Sequence, residues 1–273
     1  MLLIIYFQAS GQYQGLLWSV SGKGIKQPCY VFGSMHTADS RVFSKLTILK
    51  ERIFECKAFA AEINPDPKNF DFSILSKLLM KGDTTLSMLF STDEYAMLDS
   101  LVMESTGLSL AMFDKMQPII MTFILGQRGM NQDSDIALDW YLFNIAKSAR
   151  KKTFGLETVD EQLEAMQVLP YTAQAQMLRD EMQYLNNSDI DTLFHYYMNE
   201  QLDSLLSYSR KRPMPEQFEL SLITLRNHRL AKRMHALFRK HSTFCVVGAL
   251  HLPGEQGIIS LLRKEGLIVK QVK

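Results

Sequence analysis

The chain has little cysteine, and its cysteines are far apart. Only Cys29, Cys56 and Cys245 occur among 273 residues. Because there is no Cys-x-x-Cys pair, a structural zinc site of that kind is excluded. The odd number argues against a disulfide framework, although a single bridge stays open. Cys29 and Cys245 fall within apolar runs predicted as buried strands, where a thiol behaves as a small hydrophobic group.

Long hydrophobic runs and an excess of one charge are also missing. Outside the N-terminal segment, no stretch approaches the ~20 apolar residues that a membrane-spanning helix requires. The formal net charge is +1, so electrostatics favour neither nucleic acid nor an acidic lipid surface as a partner. We therefore predict no nucleic-acid partner and no transmembrane helix in the mature chain.

Several common catalytic motifs are absent as well. The sequence contains no His-Glu-x-x-His helix, no Gly-x-Ser-x-Gly elbow, no phosphate-binding Gly-x-x-x-x-Gly-Lys segment and no dinucleotide-binding glycine pattern. Any catalytic chemistry must therefore be carried by a different set of residues.

The apolar segments predict an α/β fold in one domain. Predicted strands lie towards both ends of the chain, and the residues between them are mainly helical. A fraction of 47% apolar residues is ordinary for a globular protein, and no low-complexity linker divides the chain. We predict one domain over residues 12–273, an α/β (α+β-like) fold in which a long helical insertion, at about residues 68–150 and 159–240, forms a cap.

Residues 1–11 allow two interpretations. Leu2–Phe7 is an apolar run followed by Gln8-Ala9-Ser10-Gly11, which is typical of the end of a secretory signal but lacks the usual basic start. An ordinary N-terminal strand is the alternative. We expect a secreted or periplasmic protein under the first interpretation and a cytoplasmic one under the second.

Two short motifs, one near each end of the chain, resemble each other. Gly33-Ser34-Met35-His36 follows the apolar run Cys29–Phe32, and Gly248-Ala249-Leu250-His251 follows Phe244–Val247. Each run predicts a buried strand, so each histidine lies just beyond the carboxyl end of a strand, where open α/β sheets bind their ligands. Two imidazoles delivered in this way predict one shared site, and a metal ion is its simplest occupant.

Two glutamates share this position at a predicted strand end. Glu62 follows Ala58–Ala61, and Glu157 follows Lys152–Leu156. Two histidines and one carboxylate form a known ligand set for divalent metals, and a second carboxylate could complete it or act as general base toward water. Glu62 adjoins apolar residues and needs a metal or an arginine nearby, because an unpaired buried carboxylate is costly.

Simpler explanations stay open for these residues. Each histidine could be a capping or hydrogen-bonded residue, and Glu157 could cap the helix that follows it. Arg226 lies on a predicted long helix, Glu216–Arg239. It could hold a substrate carboxylate, pair with Glu62 or Glu157, or form an ordinary surface salt bridge. We predict catalytic roles for Glu62, Glu157 and Arg226.

On these residues the chain resembles the TraB/GumN family, which is related to the Tiki metalloproteases. The resemblance covers roughly Leu17 to Val272 and is carried by four blocks: LLWSVSGKG…YVFGSMHTAD, AFAAEIN, TFGLETVDEQL with the preceding Leu138-Asp139 helix, and LRNHRLAKRM…FCVVGALHLPGEQGIISLLRKEGLIV. It implies a fold similar to the erythromycin-esterase and ChaN-like group, with a central mixed sheet from two related halves.

The resemblance also implies a metal-dependent active site. By position His36, Glu62 and His251 match the residues taken as this site, and Glu157, Arg226 and Asn227 match further motif positions. We expect the first three to bind the metal, and Arg226 and Asn227 to contact substrate. Manganese or cobalt is the implied metal, while zinc and iron stay open. Tiki members act on peptide segments, and other members are linked to the shutdown of peptide pheromone signalling. A peptide or protein is therefore the expected substrate.

We thus predict a metal-dependent hydrolase, specifically a peptidase. The alternative is a peptide-binding or sequestering protein that keeps the pocket without turnover, since binding alone uses the same residues. A third interpretation, a haem- or iron-handling protein, rests only on analogy of fold.

Overall fold

A computed structural model shows a central β-sheet with helices before, between and after its strands. It describes residues 13–66, 71, 73–127, 130–131, 133–184, 187–212 and 214–273. The apolar run Leu2–Phe7 lies outside the described residues. The choice between a signal remnant and a strand therefore stays a prediction.

The sheet is mixed, as predicted. The strands in the described residues are β1 Leu17–Gly22, β2 Cys29–Ser34, β3 Ala58–Ala61, β4 Lys152–Gly155, β5 Thr243–Gly248 and β6 Leu267–Gln271. Their order across the sheet is β4-β3-β5-β2-β1-β6. Strands β4, β3, β5 and β2 are parallel, while β1 is antiparallel to both β2 and β6. This confirms the α/β fold class, and the relation between two halves stays a prediction.

Local sequence explains why these segments form strands. Every residue of β2, β3 and β5 is buried, which is the pattern of parallel strands covered on both faces. Between β1 and β2 the chain turns at Gly22 and Gly24, whose φ angles are +134° and +87°. Glycine reaches such angles without steric cost, so β1 and β2 form an antiparallel hairpin.

Most of the helices lie in two long segments between strands. Helices α2 to α6 lie between β3 and β4, and α7 to α12 lie between β4 and β5. Their bounds, with α1 and α13, are α1 Leu46–Glu55, α2 Ile74–Lys77, α3 Leu86–Leu89, α4 Thr92–Thr106, α5 Pro118–Leu125, α6 Leu138–Ser148, α7 Val159–Met166, α8 Tyr171–Tyr184, α9 Asn187–Met198, α10 Leu202–Ser209, α11 Glu216–Glu219, α12 Arg226–Phe238 and α13 Ile258–Lys264.

The helix predicted over Glu216–Arg239 is not continuous. It consists of α11, a π-helical segment at Leu220–Leu225, and α12. A π segment inserts one extra residue per turn and changes the direction in which later side chains point, and such segments occur often at functional sites. Here it directly precedes Arg226 and Asn227.

Aromatic rings fill the middle of the sheet. The rings of Phe59 in β3 and Phe244 in β5 are stacked with centroids 6.1 Å apart. Phe143 of α6 meets Phe59 edge-on at 6.3 Å. All three side chains are fully or almost fully buried, so this stack couples the neighbouring strands β3 and β5 to α6.

The helical insertion has cores of its own. Separate clusters of buried apolar side chains join α3, α4, α5 and α8, and join α5 with the segment around α11. The helices of the insertion therefore pack on one another as well as on the sheet. Their arrangement as a cap over the site stays a prediction.

Two expectations from composition can be checked directly. Among the described residues, none of the helices combines the length and the hydropathy that a membrane crossing needs. Cys29, Cys56 and Cys245 are all buried and free. The single disulfide that the sequence left open is therefore not formed.

Replacing Phe59 by alanine should lower the free energy of unfolding by about 3–5 kcal/mol, because it removes a buried ring from the stack. Phe54 of α1 is 58% exposed and provides a matched control. Phe54→Ala should change the stability by no more than about 0.5 kcal/mol. Urea denaturation of both variants measures the difference, and equal losses would contradict the central position of Phe59.

Candidate functional site

The polar residues predicted at strand ends are brought to one edge of the sheet. His36, Glu62, Glu157 and His251 follow the carboxyl ends of β2, β3, β4 and β5. These four strands are neighbours, and their register pairs Ser34 with Gly248, and Ala61 with both Val246 and Gly155. The residues after them must therefore lie side by side.

The Glu62 carboxylate is the point at which both histidines meet. Its Oε1 lies 3.5 Å from His36 Nε2 and 3.7 Å from His251 Nε2. The same oxygen accepts a hydrogen bond of 2.7 Å from the backbone N–H of Gly248. Imidazoles from opposite ends of the chain thus lie close to one carboxylate oxygen.

The second oxygen of Glu62 faces the helices. Oε2 accepts from Arg226 Nη2 at 2.7 Å and from Gln162 Nε2 at 3.0 Å. Glu62 is only 8% exposed. Burial raises the pKa of its carboxyl, but His251, His36 and Arg226 more than offset this and hold the pKa well below its usual range. The carboxylate is therefore ionised at neutral pH.

His251 is oriented by an amide behind it. Its Nδ1 lies 2.6 Å from Asn227 Oδ1, and Asn227 Nδ2 donates to the carbonyl of Gln256 at 2.8 Å. Because the Asn227 nitrogen is engaged with a carbonyl, its oxygen must face His251 and accept from Nδ1–H. This arrangement leaves the lone pair of Nε2 directed at Glu62.

Burial keeps His251 neutral. Desolvation lowers the pKa of His251 to about 4; Glu62 opposes this shift, while Arg226 and His36 add to it. A neutral imidazole with a free Nε2 lone pair is the form that binds metals.

His36 has an unusual backbone and a carboxylate partner. Its φ is +50°, in the left-handed region that side chains other than glycine seldom adopt. The Nδ1 atom lies 3.2 Å from Asp139 Oδ2, and the side chain is half exposed. Desolvation lowers the pKa of His36, but Asp139 and Glu62 outweigh it and raise the pKa well above its usual value. Because the His36 side chain is half exposed while Glu62 and His251 are buried, solvent reaches the site at His36.

Glycine at position 248 leaves room for the His36 ring. A Cβ at Gly248 would lie 2.9 Å from His36 Nε2 and 3.4 Å from His251 Cδ2. The φ of Gly248 is −57°, so no strain requires glycine there. The requirement is one of space, because the backbone of β5 passes directly beneath the two imidazoles.

Arg226 is buried and bonded by all three of its guanidinium nitrogens. Nε donates to both oxygens of Glu157 at 3.1 Å, Nη1 to the Leu222 carbonyl at 3.1 Å, and Nη2 to Glu62. Arg226 is 4% exposed, which contradicts the surface salt bridge that the sequence left open. Of the alternatives that the sequence left open, the structure has Arg226 paired with both Glu62 and Glu157.

From Arg226 a row of alternating charges runs toward the surface. Glu157 also accepts from Arg229 at 3.0 Å, Arg229 lies 3.9 Å from Glu161, and Arg233 lies 2.7 Å from Glu161. The three arginines lie three and four residues apart on α12, so they share one helix face. This row joins α12 to the start of α7.

Glu157 does not cap α7. Thr158 is the N-cap, its hydroxyl accepts from the backbone N–H of Glu161, and the Glu161 side chain accepts from the N–H of Thr158. The capping explanation for Glu157 is therefore wrong. Its fully buried carboxylate accepts from Arg226 Nε, while Nη2 of the same guanidinium donates to Glu62.

Asn227 contacts His251 rather than the open part of the site. It is 1% exposed, and both polar atoms of its amide are engaged by His251 and Gln256. It therefore lies on the Nδ1 side of the His251 ring, and Glu62 lies on the Nε2 side. The substrate-binding role expected for Asn227 stays a prediction.

A metal ion would meet suitable donor types here. Both histidines have a partner at Nδ1, an amide for His251 and a carboxylate for His36, which is the arrangement that usually supports metal-binding imidazoles. Within the part of the chain that the structure describes, however, no group of three or more His, Cys, Asp or Glu side chains stands ready to hold a metal ion. Both oxygens of Glu62 are engaged by donors of the protein.

Two residues of the site were missed by sequence reasoning. Asp139 lies in the first turn of α6 and Gln162 in α7. An acidic residue in a first turn is commonly explained by the helix dipole, and a glutamine within an amphipathic helix carries no signal. Both residues lie in segments that carry the family resemblance, Asp139 in Leu138-Asp139 and Gln162 in TFGLETVDEQL. The resemblance is therefore the one sequence signal that included them.

Comparison with known proteins gives three findings. The model of the TraB/PrgY/gumN family matches residues 16–271. The chain is similar to "Metalloprotease TIKI2" of Danio rerio, with 22% identity over 313 aligned residues, covering 93% of this chain and 60% of that protein. The chain thus spans less than two thirds of the length of this relative. No solved structure matches it significantly.

Gly248→Ala and Gly33→Ala should differ in their effects. At Gly248 the added methyl meets the end of a half-exposed ring, so we expect the fold to persist and the imidazole of His36 to move. At Gly33 a Cβ would lie 2.7 Å from Leu252 Cδ1 and 3.0 Å from Ala249 Cα, so overpacking should cost about 1–3 kcal/mol. Urea denaturation and the NMR resonances of His36 measure the two effects. Unchanged His36 resonances in Gly248→Ala would contradict this geometry.

In metal-free protein the two histidines should titrate far apart. We expect an NMR midpoint for His251 of about 4 and one for His36 well above its usual value. In the unfolded chain both titrate near ~6.5. His251 binds a proton more readily in the unfolded chain than in the folded protein. Its contribution to stability is therefore fully present above pH ~6.5 and is lost as the pH falls toward about 4, the pKa of His251 in the folded protein. His251→Gln should lack this part of the pH dependence. Coincident midpoints would contradict the different environments.

Proposed function

The chain belongs to the TraB/PrgY/gumN family, and from this membership and the geometry of its site we propose that it is a metal-dependent hydrolase acting on peptides or proteins. One observation carries the proposal. Two histidine Nε2 atoms lie 3.5 Å and 3.7 Å from the same oxygen of Glu62, at the carboxyl edge of parallel strands. This is where α/β sheets bind ligands.

We assign metal binding to His36, His251 and Glu62. Two imidazoles and a carboxylate suit several divalent first-row metals, and manganese or cobalt is our expectation. His36 is half exposed, so its ring has room to adjust toward an ion. Loading must also displace the proton that the high pKa of His36 retains, because metals bind the neutral imidazole.

A divalent cation, when bound, supplies a Lewis acid that polarises a carbonyl group and makes water more acidic. Glu62 is better suited to be a ligand than a general base, since its pKa lies well below the usual range and an effective base titrates near the working pH. Arg226 holds Oε2 at 2.7 Å and so keeps the carboxylate ionised. Its fixed positive charge also favours negative charge that develops nearby.

We give Glu157 and Asn227 supporting roles in this proposal. Glu157 keeps the guanidinium of Arg226 aligned by accepting from its Nε with both oxygens. Asn227 keeps His251 in the Nδ1–H tautomer. Neither needs to touch substrate for these roles, which follow from the burial of both side chains.

The substrate class is supported by the relative that is called a metalloprotease, at 22% identity. We propose peptide or protein segments as substrates on this basis. A peptide-binding protein without turnover is the second candidate. It is favoured by one observation, that both oxygens of Glu62 already accept hydrogen bonds from the protein.

Metal content separates the assigned ligands from the supporting residues. After loading with Mn²⁺, His36→Ala and His251→Ala should each lose more than about 100-fold in metal affinity, because each removes a donor and loss of an outer partner alone costs about 10–100-fold. Glu157→Ala should lose less. The exposed His195, outside the site, is the matched control and His195→Ala should bind as the unchanged protein does. Equal occupancy in all variants would refute the metal assignment.

Cleavage tests the choice between the two candidates. A diverse peptide library should be cleaved in the presence of Mn²⁺, and cleavage should stop on chelation and in Glu62→Gln. If peptides bind tightly and survive intact with the metal loaded, the protein sequesters peptides rather than hydrolysing them.

A further inference from the structure

Asp139 contacts His36 on the other side of the ring from Glu62. Its Oδ2 lies 3.2 Å from His36 Nδ1 and accepts from the hydroxyl of Ser34 at 2.8 Å. The Asp139 side chain is 15% exposed. The imidazole therefore lies between two carboxylates, with one ring nitrogen directed at each.

Backbone hydrogen bonds bring Asp139 to this position. The N–H of Leu138 donates to the carbonyl of Thr37 at 3.1 Å, and the N–H of Ser134 donates to that of Ala38 at 2.9 Å. The residues just after His36 are thus joined to the residues just before Asp139. The main chain therefore holds the two residues within reach of each other.

The left-handed turn at His36 is braced by the same group of residues. Ser34 donates to Asp139 and accepts from the backbone N–H of His36 at 3.3 Å. The hydroxyl of Tyr197 donates to the carbonyl of Gly33 at 3.1 Å. Burial, with Asp139 nearby, raises the pKa of this fully buried tyrosine far above its usual value, so it stays a hydrogen-bond donor. Strand β2 therefore ends in a supported turn.

From this geometry we infer that Asp139 is a positioning residue, which holds the His36 imidazole by Nδ1, with Ser34 as second anchor, so that Nε2 stays directed at Glu62. The inference rests on the proposed function insofar as it treats His36 as a metal ligand. Asn227 does the same for His251 from another element. The two imidazoles thus have different supports, a carboxylate on the open side and an amide on the buried side.

The first test is the affinity for Mn²⁺, measured by titration calorimetry on the full chain. Asp139→Ala should weaken binding by about 10–100-fold, the usual effect of removing an outer partner of a metal-binding histidine. Asp139→Asn should lose less, because an amide oxygen can still accept from Nδ1–H. Ser34→Ala should also weaken binding, by less than Asp139→Ala.

The matched control is Asp99→Asn. Asp99 of α4 accepts from the Ser109 hydroxyl at 3.0 Å and from the Leu110 N–H at 2.6 Å, but it does not contact the site residues described. It should leave Mn²⁺ affinity unchanged. Unchanged affinity in Asp139→Ala, with the fold intact by circular dichroism, would overturn the inference. If Asp139→Ala does not fold, Asp139→Asn and Ser34→Ala decide, and wild-type affinity in both would overturn it.

A second measurement needs no metal and so separates this inference from the proposed function. In chelator-treated protein, ¹⁵N NMR of the imidazoles should show a shift of His36 Nδ1 in Asp139→Asn, while the His251 resonances stay in place. Failure of the unchanged protein to bind Mn²⁺ would refute the metal assignment, and this spectrum would then decide on Asp139 alone. An unshifted His36 Nδ1 would overturn the positioning role.

Discussion

The burial of one carboxylate organises this site. Glu62 follows a central strand and is 8% exposed, and an ionised carboxylate in such a place is tolerated only if its oxygens are paired. A backbone N–H, a guanidinium and an amide provide that pairing. The two imidazoles then meet on the oxygen that faces the sheet edge. The rest of the site is arranged around keeping this charge in place.

Arg226, the cation that stabilises Glu62, is itself buried, so its charge also needs a partner. Glu157 neutralises Arg226, and Arg229, Glu161 and Arg233 extend the pairing to the surface. Removing one member of a buried ionic network leaves an uncompensated charge, which costs more than the pair contributes. The π-helical segment before Arg226 and the capped start of α7 are therefore joined through the same network.

The two histidines are equivalent in sequence but not in environment. His251 is buried against an amide and stays neutral, whereas His36 is half exposed and lies between carboxylates. The His251 ring is held inside the protein, and the His36 ring is the one that solvent reaches. The difference arises from the elements behind each ring, α12 for His251 and α6 for His36.

Sequence reasoning succeeded where the signal is local. The apolar runs, and a glycine three residues before each histidine, predicted buried strands and the polar residues at their ends. It failed where a polar residue has an ordinary helical explanation, as for Asp139 and Gln162, and where a helix departs from regular spacing, as between Glu219 and Arg226.

The sequence by itself determined the α/β fold class and the position of His36, Glu62, Glu157 and His251 beyond their strands, because hydrophobic periodicity and glycine turns act over a few residues. Only the tertiary structure decided which partner each of these side chains has. Ser34 and Asp139 are 105 residues apart, and Glu62 and Arg226 are 164 apart. Such contacts depend on how distant elements pack, and no local pattern encodes them.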